Sequence, residues 1–235
     1  MSEPSPAAYP ARTHYQQAEV YSTYDERRFS SWYGRWVHRL EARALVRALH
    51  ELPPGARVLE LATGTGRMTR EALRAGFTVI GSDISRGMLD HAGTRLSGEG
   101  RLGGLLRAAA ERMPVRDGAV DAVMTYRFLH HLDHEARARV FRETHRVARR
   151  YAVLQFSTPR SLWFLARRAR ERRRHRPLRI GLTPREFAQE LADAGFRERR
   201  TYFALPFLAE TYVSVFERVE APAPATGGPA SASLP

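Results

Sequence analysis

Two segments of the sequence combine residue types and a spacing that suit the binding of a nucleoside. The first is the loop from Ala62 to Gly66, in which small residues follow a short apolar run and precede a helical pattern. Small residues let the backbone turn sharply and approach a ligand, and the helix behind them presents free N–H groups. The second is Asp83, which ends the next apolar run and can accept hydrogen bonds from both hydroxyls of a ribose.

The glycine-rich loop alone does not distinguish a binding site from an ordinary strand-to-helix turn. The acid seventeen positions after Gly66 favours a ligand, because the loop and the acid then end neighbouring strands. This arrangement is shared by folds that bind dinucleotides and folds that bind S-adenosyl-L-methionine. Glu60, an acid within the first motif, favours the second kind of fold.

A further group of candidate residues follows the apolar run at 120–125. Tyr126, Arg127, His130 and His131 stand close together there. Histidine titrates near pH 7 and can take a proton from a hydroxyl or from an activated carbon nucleophile. We therefore name His130 and His131 as candidates for a general base. The alternative is that they only close the junction between strand and helix.

A regular alternation of strand and helix patterns positions these residues. Two helical stretches come first, at Gln16 to Phe29 and Gly34 to Glu51. Alternation of strands with helices predicts a mostly parallel, doubly wound α/β sheet of the Rossmann-like type, with the last two of seven strands as an antiparallel edge pair. The strand patterns are Val58–Leu61, Phe77–Ile80, Leu102–Arg107, Val120–Thr125, Ala152–Leu154, Phe196–Leu205 and Thr211–Phe216.

Polar residues predict where three of the helices begin. Ser85 and Asp133 stand before amphipathic patterns as N-caps. Thr183 is followed by proline and, three positions on, by Glu186, which is the spacing of a capping box. The helix after Asp133 is predicted to turn apolar residues inward as far as Ala148.

Length and composition fit one globular α/β domain. The 235 residues are 43% hydrophobic and carry a formal net charge of +13. The absence of cysteine excludes disulfides, thiolate metal sites and cysteine nucleophiles, and it fits a reducing cytoplasm. We expect no metal site. No apolar run approaches the length needed to cross a bilayer, and the first residues lack the apolar core of a secretory signal.

Positive charge is concentrated in one segment. All 38 basic residues are arginine, and Arg160 to Arg179 contains nine of them against one acid, Glu171, next to the apolar patch Leu162 to Leu165. Three interpretations are open: a solvated, arginine-biased insertion, a surface that meets an anionic membrane, or a contact to nucleic-acid phosphates. Arginines on every side of the helical wheel argue against a clean amphipathic helix.

Four stretches make the chain resemble the class I S-adenosylmethionine-dependent methyltransferases, in particular the group with the quinone-biosynthesis C-methyltransferases. The resemblance covers roughly Tyr15 to Arg218. The stretches are Val58 to Gly66, Gly81 to Ser85 with Met88-Leu89, Ala110 to Val115, and Asp121 to Leu132. It implies a methyltransferase domain at 14–220, with N-terminal lid helices at 14–52 and the arginine-rich insertion at 158–182. Residues 1–13 and 221–235, rich in Pro, Ala and Ser, are predicted to be a disordered lead and tail.

The resemblance also implies roles for individual residues. The loop from Ala62 to Gly66 wraps the methionine part of the cofactor, Asp83 holds the ribose and Ile84 packs on the adenine. On the lid helix, Arg28 faces the cofactor carboxylate, although a solvated Arg28 on an ordinary amphipathic helix is the alternative. The full set expected at the cofactor is Tyr24, Arg28, Glu60, Ala62, Thr63, Gly64, Gly66, Asp83, Ile84, Met88, Ala109, Ala110, Glu111, Tyr126 and Arg127.

Two positions depart from the family pattern. Ala62 stands where the first glycine of the loop is usual, and Ala109 stands where an acid often meets the adenine amino group. Adenine recognition is therefore expected to use the backbone or another side chain.

The expected function is methyl transfer from S-adenosyl-L-methionine to a small, lipophilic acceptor such as a quinone precursor, a lipid or a secondary metabolite. The partners would be that acceptor and, through the arginine-rich segment, an anionic membrane; the protein would be cytoplasmic or peripheral at the membrane. RNA methylation is the alternative enzyme activity, although no Asn/Asp-Pro-Pro-aromatic motif follows the fourth strand. A non-catalytic cofactor-binding protein and, more remotely, an NAD-dependent oxidoreductase are the others.

Overall fold

The computed structural model describes residues 31–159, 161, 164–165, 169, 181–205 and 211–219. Seven strands form one sheet: Arg57–Leu61 (β1), Thr78–Asp83 (β2), Leu102–Arg107 (β3), Val120–Thr125 (β4), Ala148–Ser157 (β5), Phe196–Phe203 (β6) and Thr211–Arg218 (β7). Five helices are described with them: Trp32–Leu49 (α1), Arg67–Arg74 (α2), Arg86–Leu96 (α3), His134–Val147 (α4) and Pro184–Asp193 (α5). A short 3-10 turn, Leu129–His131, follows β4.

The strands are ordered β3-β2-β1-β4-β5-β7-β6. β1 to β5 are parallel to one another, whereas β7 is antiparallel to both β5 and β6. The predicted doubly wound sheet with an antiparallel edge pair is therefore confirmed. The order reverses between β1 and β4, so the loops after these two strands diverge and leave a crevice at the carboxyl edge of the sheet.

Each face of the sheet packs on its own set of helices. Successive side chains of a strand point to opposite faces, so Val58 joins the core beneath α1, α2 and α3, while Leu59 joins the core beneath α4 and α5. On the second face Phe156 stacks on Phe187 of α5 with ring centroids 4.2 Å apart. Both layers bury apolar side chains, and the chain has no cysteine that could cross-link them.

The predicted caps set the helix ends. Ser85 accepts a hydrogen bond from the N–H of Met88, and Asp133 accepts one from Ala136. Thr183 and Glu186 form the reciprocal capping box that their spacing predicts. These interactions satisfy N–H groups that have no partner inside their helices.

Several element ends differ from their predicted positions by a few residues, and two of these differences have a clear local cause. α1 begins at Trp32 rather than Gly34, because the hydroxyl of Ser31 accepts from the N–H of Gly34 and caps the helix two residues earlier. Ala148 was expected on the inward face of α4 but is the first residue of β5, since the chain passes from helix to strand without a loop. The periodicity of apolar residues continued across this junction and concealed it.

Several predicted segments lie outside the described residues. These are the helix at 16–29, the lead at 1–13, the tail at 221–235 and nearly all of the arginine-rich stretch at 158–182. Among the helices that are described, none has the length and apolar character required to cross a bilayer.

Candidate cofactor and active site

The loop between β1 and α2 turns by placing three of its residues in the left-handed backbone region. The φ angles are 54° for Ala62, 56° for Gly64 and 74° for Gly66. Glycine adopts this region without cost, whereas a residue with a Cβ atom does not. Ala62 therefore stores strain at the position where glycine was expected.

The two glycines of the loop are required for different reasons. A Cβ atom added to Gly64 would meet nothing within 4 Å, so this part of the loop faces open space at the carboxyl edge. A Cβ atom on Gly66 would lie 3.1 Å from a methyl of Leu96 and 3.2 Å from Cβ of Ala92, because α3 packs against the loop. Gly64 leaves room for a ligand, and Gly66 allows a close helix contact.

Glu60, in β1, holds the loop through hydrogen bonds. Its side chain is buried, and the hydroxyls of Thr63 and Thr69 both donate to its Oε2 atom, the first at 2.8 Å. Burial raises the pKa of Glu60 to about 7, in spite of the two hydroxyls that donate to it. The network thus contains a carboxyl group that takes up or releases a proton near neutral pH.

Asp83 connects the end of β2 to the loop. One carboxylate oxygen accepts from the N–H of Gly64 at 2.9 Å, and the other accepts from the N–H of Ser85 at the same distance. Burial raises the pKa of Asp83, and the hydrogen bonds from the backbone oppose this shift. A carboxylate has about four acceptor positions, so Asp83 retains capacity for two ribose hydroxyls.

Arg95 of α3 also holds the loop, and sequence reasoning missed it. Its guanidinium donates to the backbone oxygen and to the hydroxyl of Thr65, both at 2.8 Å. Thirty positions separate the two residues, and on the sequence Arg95 is one arginine of the last turn of a helix among many. No local signal distinguishes it.

The end of β3 lies beside Asp83. The N–H of Ala108 donates to the backbone oxygen of Asp83 at 3.1 Å, and Ala109 forms a β-bridge with Arg112. The half-buried Ile84 follows Asp83, and Ala110 is buried. The structure therefore brings the expected adenine-binding residues to one edge of the loop.

Two buried polar groups at the carboxyl edge of the sheet have no hydrogen-bond partner among the described residues. They are the carboxylate of Glu111, of which both oxygens are buried, and the hydroxyl of Thr125, the last residue of β4. Buried polar groups in proteins are nearly always satisfied, so such groups indicate a missing donor or acceptor. Glu111 is in the expected cofactor set, whereas Thr125 was not singled out.

The loop after β4 is held by partners from distant parts of the chain. Arg127 has φ 55°, its N–H donates to the side chain of Gln155 at 2.7 Å, and its guanidinium forms an ion pair with the buried Glu41 of α1. Glu41 also accepts from the hydroxyl of Thr211 at 3.2 Å. The guanidinium of Arg127 is thus directed to α1, and its expected contact with the cofactor stays a prediction.

The two candidate histidines form the 3-10 turn that follows. Their ring centroids lie 4.1 Å apart, with His130 buried and His131 half-buried. Tyr126 is buried in the core beneath α1. In the part of the chain that is described, no cluster of three His, Asp or Glu side chains is arranged to hold a metal ion.

Most of the expected site residues therefore lie around one crevice, between the loops after β1 and β4. Met88, on α3 behind the loop, is also buried there. Tyr24 and Arg28 lie outside the described residues, and their expected contacts stay predictions. Sequence reasoning missed the residues that hold the loops, namely Thr69, Arg95, Glu41, Gln155 and Thr211.

The fold and the crevice define a Rossmann-like protein with the geometry of a nucleoside-binding site. Residues 58–150 match a family model described as a methyltransferase domain, and this match includes the loop, Asp83 and both candidate histidines.

Relatives and solved structures extend this match. A ubiquinone/menaquinone biosynthesis C-methyltransferase of Stenotrophomonas maltophilia is 34% identical over 134 residues, 54% of this chain and 53% of that protein. A demethylmenaquinone methyltransferase of Mycolicibacterium vanbaalenii is 32% identical over 123 residues, 52% of this chain and 51% of that protein. The chain therefore spans about half the length of the curated relatives that it matches.

The fold is shared over nearly the whole chain. The magnesium protoporphyrin IX methyltransferase of Synechocystis, solved with bound SAH, superposes with a TM-score of 0.71 at 18% identity, over 88% of this chain and 97% of that one. A 1,6-didemethyltoxoflavin-N1-methyltransferase of Burkholderia thailandensis superposes with a TM-score of 0.65 at 16% identity, over 93% and 94%. The chain therefore matches the methyltransferase domain model over residues 58–150, and over most of its length it shares the fold of methyltransferases of known structure.

Proposed function

We propose that the protein transfers a methyl group from S-adenosylmethionine to a small, lipophilic acceptor. The observation that carries this proposal is the open space in front of Gly64, bordered by the buried carboxylate of Asp83. A loop that wraps a ligand and an acid that receives ribose hydroxyls are the two elements such a cofactor requires. The relatives act in the biosynthesis of ubiquinone and menaquinone, which supports a lipophilic acceptor.

The crevice offers a complementary group for each part of the cofactor. We assign the methionine part to the backbone of the loop from Ala62 to Gly66, with Glu60 beneath it, and the ribose to Asp83. Ile84 and the backbone at Ala109 border the adenine. Since Ala109 replaces an acid, we assign the adenine amino group to Glu111, whose buried carboxylate has no hydrogen-bond partner among the described residues.

The reaction proposed for this site is a direct displacement. The bound cofactor supplies a methyl group that already has a good leaving group, so the protein chiefly aligns the acceptor with it. The rigid supports of the two loops, Arg95 on one side and Glu41 on the other, maintain this alignment. Of the two histidines, the half-buried His131 is the one that an acceptor can reach, and we propose it as the proton acceptor where the nucleophile carries a proton.

The experiment follows the label from S-adenosylmethionine carrying a tritiated methyl group. Purified protein is incubated with separated host fractions of lipids, small metabolites and RNA, and the fraction that becomes labelled is identified. The proposal expects label in a lipophilic small-molecule fraction. Label in RNA would show that the acceptor class is wrong, and binding of the cofactor without any transfer would indicate a non-catalytic protein.

Two matched glycine variants test whether methyl transfer takes place at the crevice. Gly64→Ala and Gly76→Ala both place a Cβ atom at a positive φ, 56° and 94°, and neither Cβ meets another atom within 4 Å. Both variants therefore carry a backbone penalty of about 1–2 kcal/mol. Only Gly64 faces the crevice, so only Gly64→Ala is expected to lose cofactor affinity and methyl transfer. Equal losses in both variants would place the ligand elsewhere.

A further inference from the structure

We propose that the exposed face of α1 docks on an anionic phospholipid membrane. This face carries a row of arginines at a spacing of four residues, Arg35, Arg39, Arg43 and Arg47, all of them exposed. Residues four apart stand nearly above one another on a helix, so the row runs along almost the whole length of α1. We call it the arginine stripe. It is distinct in sequence from the arginine-rich segment at 160–179.

Three arginines of the stripe carry charge that no acid of α1 offsets. The only carboxylate on α1 is Glu41, which is buried and paired with Arg127. Within the described parts of the chain, Arg39, Arg43 and Arg47 form no ion pair. By contrast, Arg150 and Arg199 at the far edge of the sheet share Glu217. The stripe therefore presents net positive charge, which attracts an anionic surface.

The first turn of α1 adds an aromatic end to this face. Trp32, Tyr33 and Trp36 are 73%, 44% and 40% exposed, although large apolar side chains are normally buried. Tryptophan and tyrosine are enriched where a protein meets the lipid headgroups, because their rings have an apolar body and a polar N–H or O–H. An exposed helix face with arginines along its length and aromatic rings at one end matches a surface that lies in the membrane interface.

Charge alone would also suit nucleic acid, and the arrangement of the rings favours lipid. Trp32 meets Tyr33 edge on, with planes 85° apart and centroids 6.1 Å apart, and Tyr33 is tilted by 36° against Trp36. The three rings therefore form one compact apolar cluster. Stacking of successive bases requires separate, open ring faces along a basic groove.

The position of the aromatic end agrees with a lipophilic acceptor. Glu41 contacts Arg127 after β4 and Thr211 at the start of β7, and both residues lie at the carboxyl edge of the sheet. Trp32 and Trp36 precede Glu41 on the same helix, so they stand at the edge where the crevice opens. Docking by this face would place the crevice next to the bilayer that dissolves such an acceptor.

The test measures binding to vesicles, which is independent of methyl transfer. The full chain is sedimented at physiological ionic strength with vesicles of phosphatidylcholine alone or mixed with phosphatidylglycerol. The stripe variant Arg39→Gln/Arg43→Gln/Arg47→Gln is compared with the scattered control Arg101→Gln/Arg116→Gln/Arg185→Gln, which removes the same charge from exposed positions. We expect binding only to the anionic vesicles, weakened at least about tenfold in the stripe variant and much less in the control.

Tryptophan fluorescence reports the aromatic end directly. The chain has three tryptophans, so Trp163→Phe leaves only Trp32 and Trp36 to emit. A shift of this emission to shorter wavelength on anionic vesicles is expected, together with loss of binding in Trp32→Ser/Trp36→Ser. Circular dichroism and cofactor binding check that each variant is folded.

Three results would overturn the proposal. The first is no sedimentation of the wild type with anionic vesicles. The second is an equal fall in the stripe variant and the scattered control, which would mean that only net charge matters. The third is binding of single-stranded RNA by the stripe without binding of vesicles. A protein that docks but transfers no methyl group would refute the proposed function and leave the docking face intact.

Discussion

The two loops that border the crevice perform the same structural task by different means. Both leave a parallel strand at the carboxyl edge, and both contain a non-glycine residue in the left-handed region, Ala62 with φ 54° and Arg127 with φ 55°. The supports of the loop after β1 all come from the stretch between Glu60 and Arg95, with Thr69 nine positions from Glu60 and Arg95 thirty positions from Thr65. The loop after β4 is held by Gln155 at 28 positions and, much farther along the chain, by Glu41 at 86 positions.

The loop after β1 is therefore stabilised within one stretch of the chain, whereas the loop after β4 depends on tertiary contacts. The supports of the first loop form as soon as β1, β2, α2 and α3 come together. The supports of the second loop require α1, β5 and β7 to be in place, because Glu41 connects Arg127 to Thr211. We therefore expect the cofactor side of the crevice to tolerate damage elsewhere in the fold, and the side after β4 to fail when any of these elements shifts.

The largest effect is expected from breaking the distant support. Glu41→Gln removes the partner of a largely buried guanidinium and should lower the free energy of unfolding by about 2–4 kcal/mol. The double variant Glu41→Gln/Arg127→Gln should lose less than the sum of the single variants, since the pair no longer leaves one uncompensated charge. Urea denaturation measures both. Glu99→Gln, which breaks an exposed pair with Arg74, is the control and should cost less than about 1 kcal/mol. Additive single effects would show that the pair does not support the loop.

The next largest effect is a pH dependence of stability that arises from the raised pKa of Glu60. Its carboxyl has a pKa of about 7 in the folded state and an ordinary value of 4.5, so between these values the folded state binds more protons than the unfolded state. This contribution to stability is complete below pH 4.5 and is lost as pH rises through 7, by at most about 3 kcal/mol. Glu60→Gln should remove this fall. Urea denaturation of both proteins at pH 5 and pH 8 measures the difference, and parallel pH profiles would contradict the assignment.

A smaller effect on affinity is expected on the cofactor side. Asp83→Asn removes the charge that is to accept the ribose hydroxyls and should weaken binding of the cofactor by roughly 1.5–3 kcal/mol. Asp90→Asn, on the exposed face of α3 where its partner is Arg86, is the matched control. Titration calorimetry measures both variants. Unchanged affinity in Asp83→Asn would mean that the ribose does not bind at Asp83.

The smallest expected effect is a difference in stability between variants of Ala62 and Arg127, the two non-glycine residues with positive φ. Ala62→Gly should stabilise the fold by about 0.5–1 kcal/mol, because glycine adopts φ 54° without a Cβ clash. Arg127→Gly relieves the same kind of strain but loses the pair with Glu41, so it should destabilise. Thermal denaturation distinguishes the two. A gain in stability from both variants would mean that the ion pair contributes nothing to the loop.

The same contrast explains what the sequence could predict. The seven strands, the sheet type, the loop with Asp83 and the caps at Ser85, Asp133 and Thr183 all follow from patterns within a few residues. Glu41 has no such pattern, because its partner is 86 positions away and its neighbours on α1 are ordinary helix residues. Arg95 is hidden in the same way among the many arginines of the chain.

The contacts of Tyr24 and Arg28 stay predictions from the family pattern, since both residues lie outside the described part of the chain. Arg127 illustrates the limit of a family pattern. Its position after β4 was predicted, but the direction of its guanidinium depends on the ion pair with Glu41 of α1.

Titration calorimetry of the wild-type protein with S-adenosylmethionine, S-adenosylhomocysteine and NAD tests the central claim most directly. All three contain an adenosine group that a Rossmann-like crevice can bind, so the comparison depends on the loop and on Glu60 rather than on the fold. The account predicts one-to-one binding of both adenosyl compounds and no binding of NAD. Binding of NAD, or of none of the three, would contradict it.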